Sequence, residues 1–184
     1  PTNGAAYAIE LADNGVVYVA GPKGFGKIAP DKNGLDNFQL LYDKPGAEYI
    51  FQIATVKDKV YFLNERNLFV YSTTTDSTTT FSSSTVTGAF AGLTEIFGSV
   101  YISTEDQGLF REANNKLTKS KLALPDSTQL VFSSKFEDTY LLGTSDSRLF
   151  IYTDKMRLKE LVLKEPGYAS ASVIVNATWV SNDL

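Results

Sequence analysis

"STTTDSTTTFSSSTVTG" occupies Ser72–Gly88, and all but four of its seventeen residues are Ser or Thr. Composition alone reads it as a flexible linker, which would cut the chain into two small domains. Its context decides otherwise. The phrase "RNLFVY" (Arg66–Tyr71) runs into it, and similar phrases recur as "QGLFRE" (Gln107–Glu112) and "SRLFIY" (Ser147–Tyr152). Each is followed by a polar turn and a second run. In register, the first Ser-Thr run aligns with Arg111–Asn115 and Tyr152–Lys155, the end of a strand and its turn. The second, Thr78–Ser83 around Phe81, aligns with the strand that follows. Thr is β-branched, and an outermost strand with one solvated face tolerates Ser and Thr. Asp76 supplies the turn chemistry. The tract therefore reads as a β-hairpin, with its tip near Thr75–Ser77 the part expected to move most.

Working outward, the pairing extends over the whole chain. "AAYAIELADNGVVYVAG" (Ala5–Gly21) joins two apolar runs through Asp13-Asn14-Gly15. "IFQIATVKDKVYFLN" (Ile50–Asn64), "AFAGLTEIFGSVYIST" (Ala89–Thr104) and "QLVFSSKFEDTYLLGT" (Gln129–Thr144) follow the same plan. A fifth copy, "ASASVIVNATWVSND" (Ala169–Asp183), turns near Asn176. The anchors of the second runs are Tyr18, Tyr61, Tyr101, Leu141 and Trp179, spaced 43, 40, 40 and 38 residues apart. The Leu-Phe pairs Leu68-Phe69, Leu109-Phe110 and Leu149-Phe150 open the third runs, with Gly24-Phe25 in their place in the first copy. Four short strands in about forty residues match one blade of a β-propeller.

The predicted fold is all-β: a β-propeller segment of four four-stranded antiparallel blades plus half of a fifth. The blades fall at about 5–43, 49–84, 88–124 and 128–164, with the half blade at 168–184 of a single array. The first and last copies both begin with a first strand, so neither end has an outer strand to lend the other. The array then belongs to a larger ring of about six to eight blades, or its copies assemble through open blade edges. Self-association through an edge at Val175–Ser181 is expected.

Composition narrows the function. Twelve Phe and ten Tyr accompany a single Met, which favours strands over helices. The seventeen basic residues are scattered and the net charge is −4, so no basic stripe for nucleic acid is present. No apolar run approaches the length of a membrane span. The chain starts at Pro1 without a signal peptide, as a mature or excised segment would. Cysteine and histidine are absent, which removes disulfides, thiolate nucleophiles, ordinary zinc sites and the commonest general base. A non-enzymatic role without cofactor or metal is expected.

"YISTEDQGLFR" (Tyr101–Arg111) resembles the blade signature of two-component regulator propellers, roughly Trp-x-Gly-Thr-x-x-Gly-Leu followed by an aromatic residue and a hairpin. Gly143-Thr144 with Leu149-Phe150, Ser103-Thr104 with Gly108-Leu109, and Trp179-Val180-Ser181 match parts of it. Tyr or Leu replaces the Trp in four of five copies, and Arg148 stands where Gly108 does. The family forms extracytoplasmic sensor halves of hybrid histidine kinases and related regulators, especially in gut Bacteroidetes. The resemblance implies a periplasmic, non-catalytic domain sensing plant or host oligosaccharides. It would signal through a β-sandwich, a membrane helix and a kinase outside this chain.

"TEDQGLF" (Thr104–Phe110) also approaches the Asp-box of sialidase-type propellers, but its aromatic residue arrives one position early, and that box is structural. No paired carboxylates stand in a recognisable glycosidase setting. "DKNGLDN" (Asp31–Asn37) alternates oxygen ligands, as a calcium loop does, yet it lacks the loop's later Glu. Asn33-Gly34 reads as a hairpin turn instead.

In a propeller the loops from second to third strands share a face with the connections between blades. Those loops are Pro22–Gly24, Asn64–Asn67, Glu105–Gln107 and Ser145–Arg148. The connections include "DKPGAEY" (Asp43–Tyr49) and "KEPGYAS" (Lys164–Ser170). Tyr49 and Tyr168 are candidates to stack on a sugar ring, with Glu65, Arg66, Asp106 and Arg148 to bind hydroxyls or a carboxylate. Alternatively Pro-Gly makes the turn, the tyrosines pack between blades and the charges are solvated. Two other functions stand beside the sensor: a scaffold for protein partners, or a fragment of a glycosidase or lyase propeller.

Overall fold

The computed structural model describes residues 6–122, 124–125, 128–153, 157–162 and 174. They build four antiparallel sheets of four strands, each in simple sequential order. The first holds β1 (Ala8–Leu11), β2 (Val17–Gly21), β3 (Gly24–Pro30) and β4 (Asp36–Tyr42). The second holds β5 (Gln52–Val56), β6 (Lys59–Leu63), β7 (Asn67–Ser72) and β8 (Ser77–Ser82). In the third are β9 (Phe90–Ile96), β10 (Ser99–Thr104), β11 (Gly108–Ala113) and β12 (Lys116–Lys119). The fourth contains β13 (Leu130–Phe136), β14 (Thr139–Thr144), β15 (Leu149–Thr153) and β16 (Leu158–Leu161). First strands lie beside one another in order, β1 on β5, β5 on β9 and β9 on β13. This is the arrangement of propeller blades around an axis. The fifth copy, with Trp179 and the edge at Val175–Ser181, lies outside the described residues apart from Ile174.

The anchors Tyr18, Tyr61, Tyr101 and Leu141 sit in second strands, and Leu68, Leu109 and Leu149 sit in third strands. Because strand side chains alternate, each blade has two faces, and both must be covered. Three apolar clusters do this, one in each seam. Tyr18, Ala20 and Phe25 of the first blade meet Val60, Phe62, Phe69 and Tyr71 of the second. Tyr61, Leu63, Leu68 and Val70 meet Val100 and Ile102 across the next seam. Tyr101 and Leu109 meet Tyr140, Leu142, Phe150 and Tyr152 across the third. The core is thus divided among seams rather than gathered at one centre, as expected of a repeat array.

Across the seams the inner strands are joined by few backbone bonds, such as the Phe90 amide to the Glu65 carbonyl at 2.9 Å, and side chains close further polar groups. Gln52 Oε1 accepts from the Leu93 amide at 2.7 Å, and Ser103 Oγ donates to the Leu130 carbonyl at 2.8 Å. Ser133 Oγ donates to the Glu95 carbonyl at 2.7 Å.

The Ser/Thr tract forms the β7–β8 hairpin and a short 3-10 turn, Ser83–Thr85. Its tip is stitched in place. The Thr73 amide donates to the Asp58 carbonyl at 2.8 Å, and Thr74 Oγ1 donates to Asp58 Oδ2 at 3.3 Å. Tyr71 OH donates to Asp76 Oδ1 at 2.7 Å. Within the tip, Thr75 Oγ1 and Ser77 Oγ share a hydrogen bond of 2.8 Å. Asp31–Leu35 is a turn as read: Asp31 Oδ1 accepts from the amides of Asn33 at 2.7 Å and Leu35 at 3.0 Å. Those amide bonds hold the Asp31 carboxyl below its usual range.

Candidate binding face at the junction of the first two blades

The connection from β4 to β5 is built around Lys44-Pro45-Gly46-Ala47. The Ala47 amide donates to the Lys44 carbonyl at 3.2 Å, and Gly46 has φ +94. Pro followed by a left-handed Gly is the type II turn. The β6–β7 loop then clamps this turn. Asn64 Nδ2 donates to the carbonyls of Gly46 and Glu48, both at 2.8 Å. Asn64 Oδ1 accepts from the amides of Arg66 at 3.0 Å and Asn67 at 2.7 Å. Asn67 Nδ2 reaches the same Gly46 carbonyl at 3.1 Å. One buried amide side chain therefore fixes both loops to each other.

The next residue projecting from the clamped turn is Tyr49, with φ +57. For a bulky residue this is a true outlier, costing on the order of 1–2 kcal/mol. Its ring is 68% exposed and stacks on Tyr7, with centroids 6.1 Å apart and planes 15° apart. Phe51 is also exposed. Tyr49, Phe51, Glu48, Glu65 and Arg66 line one cavity of about 560 Å³ with the clamp residues. Glu65 and Arg66 are exposed, and among the described residues neither side-chain charge has a partner. An open aromatic surface thus adjoins an unpaired carboxylate and an unpaired guanidinium on a rigid frame.

The structure brings Tyr49, Glu65 and Arg66 together and separates Asp106 and Arg148 from them. Asp106 lies one blade on, in a cavity of about 290 Å³ beside Gln107, Lys119 and Thr128. Arg148 is engaged within its own loop: Nε and Nη2 contact Asp146 Oδ2 at 2.7 and 2.6 Å, and the guanidinium lies 5.7 Å from the Phe150 ring centre. Burial acts to raise the Asp146 carboxyl, but hydrogen bonds from Arg148 and Thr144 outweigh it and hold it low. Tyr168 lies outside the described residues. Sequence reasoning missed Tyr7, Phe51 and the clamp. Aligning Asn64 with Thr104 and Thr144 exposes the clamp, since all three cap the turn after a second strand. Asn is long enough to reach the neighbouring connection as well.

A larger groove, about 990 Å³, runs along the axis among the first strands and opens at the β1–β2, β5–β6 and β9–β10 turns. Two of its carboxylates, Glu95 and Glu10, are engaged. Glu95 accepts from the Gly98 amide and, at 2.8 Å, from Tyr140 OH. Burial raises the Glu10 carboxyl, and a hydrogen bond from Thr55 partly offsets that. Among the described residues, no three His, Cys, Asp or Glu side chains cluster as a metal site.

No family model and no curated protein matches this chain. Solved structures do resemble it. Virginiamycin B lyase from Staphylococcus aureus superposes with a TM-score of 0.66 at 14% identity, over 96% of this chain and 60% of the lyase. The extracellular domain of the one-component system BT4673 from B. thetaiotaomicron gives 0.59 at 17% identity, over 84% of this chain and 22% of that one. The extracellular domain of the hybrid two-component system BT3049 from the same organism gives 0.56 at 14%, over 86% and 25%. The chain thus spans under two thirds of each of these proteins. Together with the four sequential sheets, these likenesses show that the chain has the β-propeller fold.

Proposed function

We propose that this chain is a non-catalytic, ligand-sensing propeller segment of an extracytoplasmic sensor-regulator, and that it holds an oligosaccharide at the junction of its first two blades. The observation that carries the reading is Tyr49, held in a left-handed conformation with its ring open beside the unpaired Glu65 and Arg66. A sugar ring offers one C–H face to an aromatic surface and a rim of hydroxyls to planar polar groups. Arg66 suits two adjacent oxygens, and Glu65 accepts from hydroxyls. The Asn64 clamp lowers the ordering cost of binding.

Likeness of fold to extracellular domains of one- and two-component systems supports the sensor role and its extracytoplasmic setting. Output would pass to a kinase outside this chain. Among described residues no helix is long and apolar enough to cross a membrane. The fold is also that of a lyase whose catalytically inactive form replaces a histidine with alanine. These 184 residues contain no histidine, which favours binding over that chemistry.

A thermal-shift screen against plant and host oligosaccharides tests the reading. A binding glycan at a hundredfold excess over its dissociation constant adds about 2.7 kcal/mol of stability. Tyr49→Ala should abolish that gain with little change in the melting temperature of the free protein, because the side chain it removes is 68% exposed. If no glycan shifts the protein while a protein partner is captured on the Tyr49 face, the scaffold reading replaces this one.

A further inference from the structure

The open polar groups on the Tyr49 face continue past its cavity. Glu65, Glu105 and Ser145 hold the same place in successive blades, 40 residues apart, each directly after the residue that caps the second-to-third loop. Backbone bonds tie these loops into one rail. The Glu65 carbonyl accepts from the Phe90 amide at 2.9 Å, and the Glu105 amide donates to the Ala89 carbonyl at 3.1 Å. The two loops therefore grip opposite edges of a single peptide group, the one joining Ala89 to Phe90. The Ser145 amide continues the rail to the Gln129 carbonyl at 2.9 Å, and Gln129 Nε2 reaches back to the Glu105 carbonyl at 3.5 Å. Glu65 lines the cavity of about 560 Å³, and Glu105 lines the neighbouring one of about 290 Å³ with Asp106, Gln107 and Lys119. Those last four side chains are exposed, and among the described residues none of their charges has an ion-pair partner.

We infer that these two cavities are subsites of one extended site, whose ligand is a neutral glycan chain long enough to fill both. The inference rests on the oligosaccharide reading of the Tyr49 cavity and adds length and charge to it. Packed sheets lie about 10 Å apart, so equivalent loops of successive blades recur at about that distance, beyond the reach of a single sugar ring. A chain of repeating sugars presents hydroxyls at a regular interval, which suits groups repeated with the blade period. The backbone rail holds the loops in place before binding, which lowers the ordering cost for a long ligand. Charge selects among glycans. Along the two cavities the carboxylates of Glu48, Glu65, Glu105 and Asp106 outnumber the cations of Arg66 and Lys119. Sugar hydroxyls donate to carboxylates, whereas a uronate chain would set like charges against each other.

Calorimetric titration with xylo-, cello- and arabino-oligosaccharides of increasing length tests the inference, with oligogalacturonides as the acidic comparison. Affinity for a neutral series that binds should climb with length and level off once both cavities are filled. Asp106→Ala should weaken the longest member about tenfold, the scale of one hydrogen bond to a charged group, and leave the shortest unchanged. Circular dichroism should remain that of the parent, since Asp106 is exposed. Tyr49→Ala should weaken short and long members alike. Three results overturn the inference while leaving the Tyr49 cavity standing: equal affinity at every length, a long chain that Asp106→Ala binds as tightly as the parent does, or a preference for oligogalacturonides. If no series binds at any length, the inference falls together with the reading beneath it.

Discussion

The seam between the first and second blades is dry and aromatic, whereas the next one encloses a carboxylate. In the first, Phe25 stacks on Phe62 with centroids 3.8 Å apart and planes at 15°, and Tyr42 and Phe69 pack around them. In the second, Glu112 is 7% exposed and receives Lys59 Nζ at 3.2 Å and Tyr61 OH at 2.9 Å across the seam. The Asn115 amide closes the cluster from the Glu112 side at 3.0 Å. One seam gains its fit from shape, and the other from directional bonds that fix how the blades align. The candidate site sits on the dry seam. Stacked rings give Tyr49 and Arg66 a rigid base that does not depend on ionisation.

The largest expected effect is on that base. Phe62→Ala removes a fully buried ring with contacts on both sides, and should cost about 3–5 kcal/mol in denaturant unfolding. It should also weaken glycan binding, because the Asn64 clamp begins two residues later. A loss below about 1 kcal/mol would mean the dry seam is not the stronger anchor.

Next comes the carboxylate seam. Glu112→Ala leaves the Tyr61 hydroxyl buried without a partner, while Lys59, whose side chain is 29% exposed, can turn toward water. The expected cost is about 2–3 kcal/mol, smaller than for a wholly buried pair. Glu112→Gln keeps an acceptor for Tyr61 and should cost less than half as much. Equal costs for the two variants would show that the charge, not the hydrogen-bond geometry, aligns the blades.

What could be read beforehand follows the same division. Blades and turns are legible because alternation and the Leu-Phe pairs recur at a fixed spacing, and the seams inherit that period. Tyr49, Glu65 and Arg66 are legible as neighbours because strand order puts their loops on one face. Arg148 reads from the sequence as a candidate to bind hydroxyls or a carboxylate, although Asp146 two residues earlier is there to pair with it. Tyr7 against Tyr49 leaves no local trace, since the stack joins separate blades. The left-handed backbone at Tyr49, Lys57, Phe97 and Glu137 is hidden for another reason: none of these residue types favours it, so only the surrounding bonds reveal it.

The smallest effect separates the seams by pH. Glu10 lies at the inner rim of the dry seam, where burial raises its carboxyl pKa against a weaker lowering by the Thr55 hydrogen bond. The folded chain therefore holds this proton to higher pH than the unfolded chain does. Below the unfolded value, near 4.5, both states are protonated and the group contributes nothing to the pH dependence. As pH rises through the folded value the unfolded state gains, and a constant penalty remains at neutral pH. Glu10→Gln removes it, so the variant should melt higher than the parent at pH 7, with the difference shrinking toward zero at pH 4. Because the side chain is only partly buried, screening should keep the gain under about 1 kcal/mol. A variant that melts lower at pH 7 would show that the Thr55 hydrogen bond outweighs desolvation, and that this seam too depends on a charge.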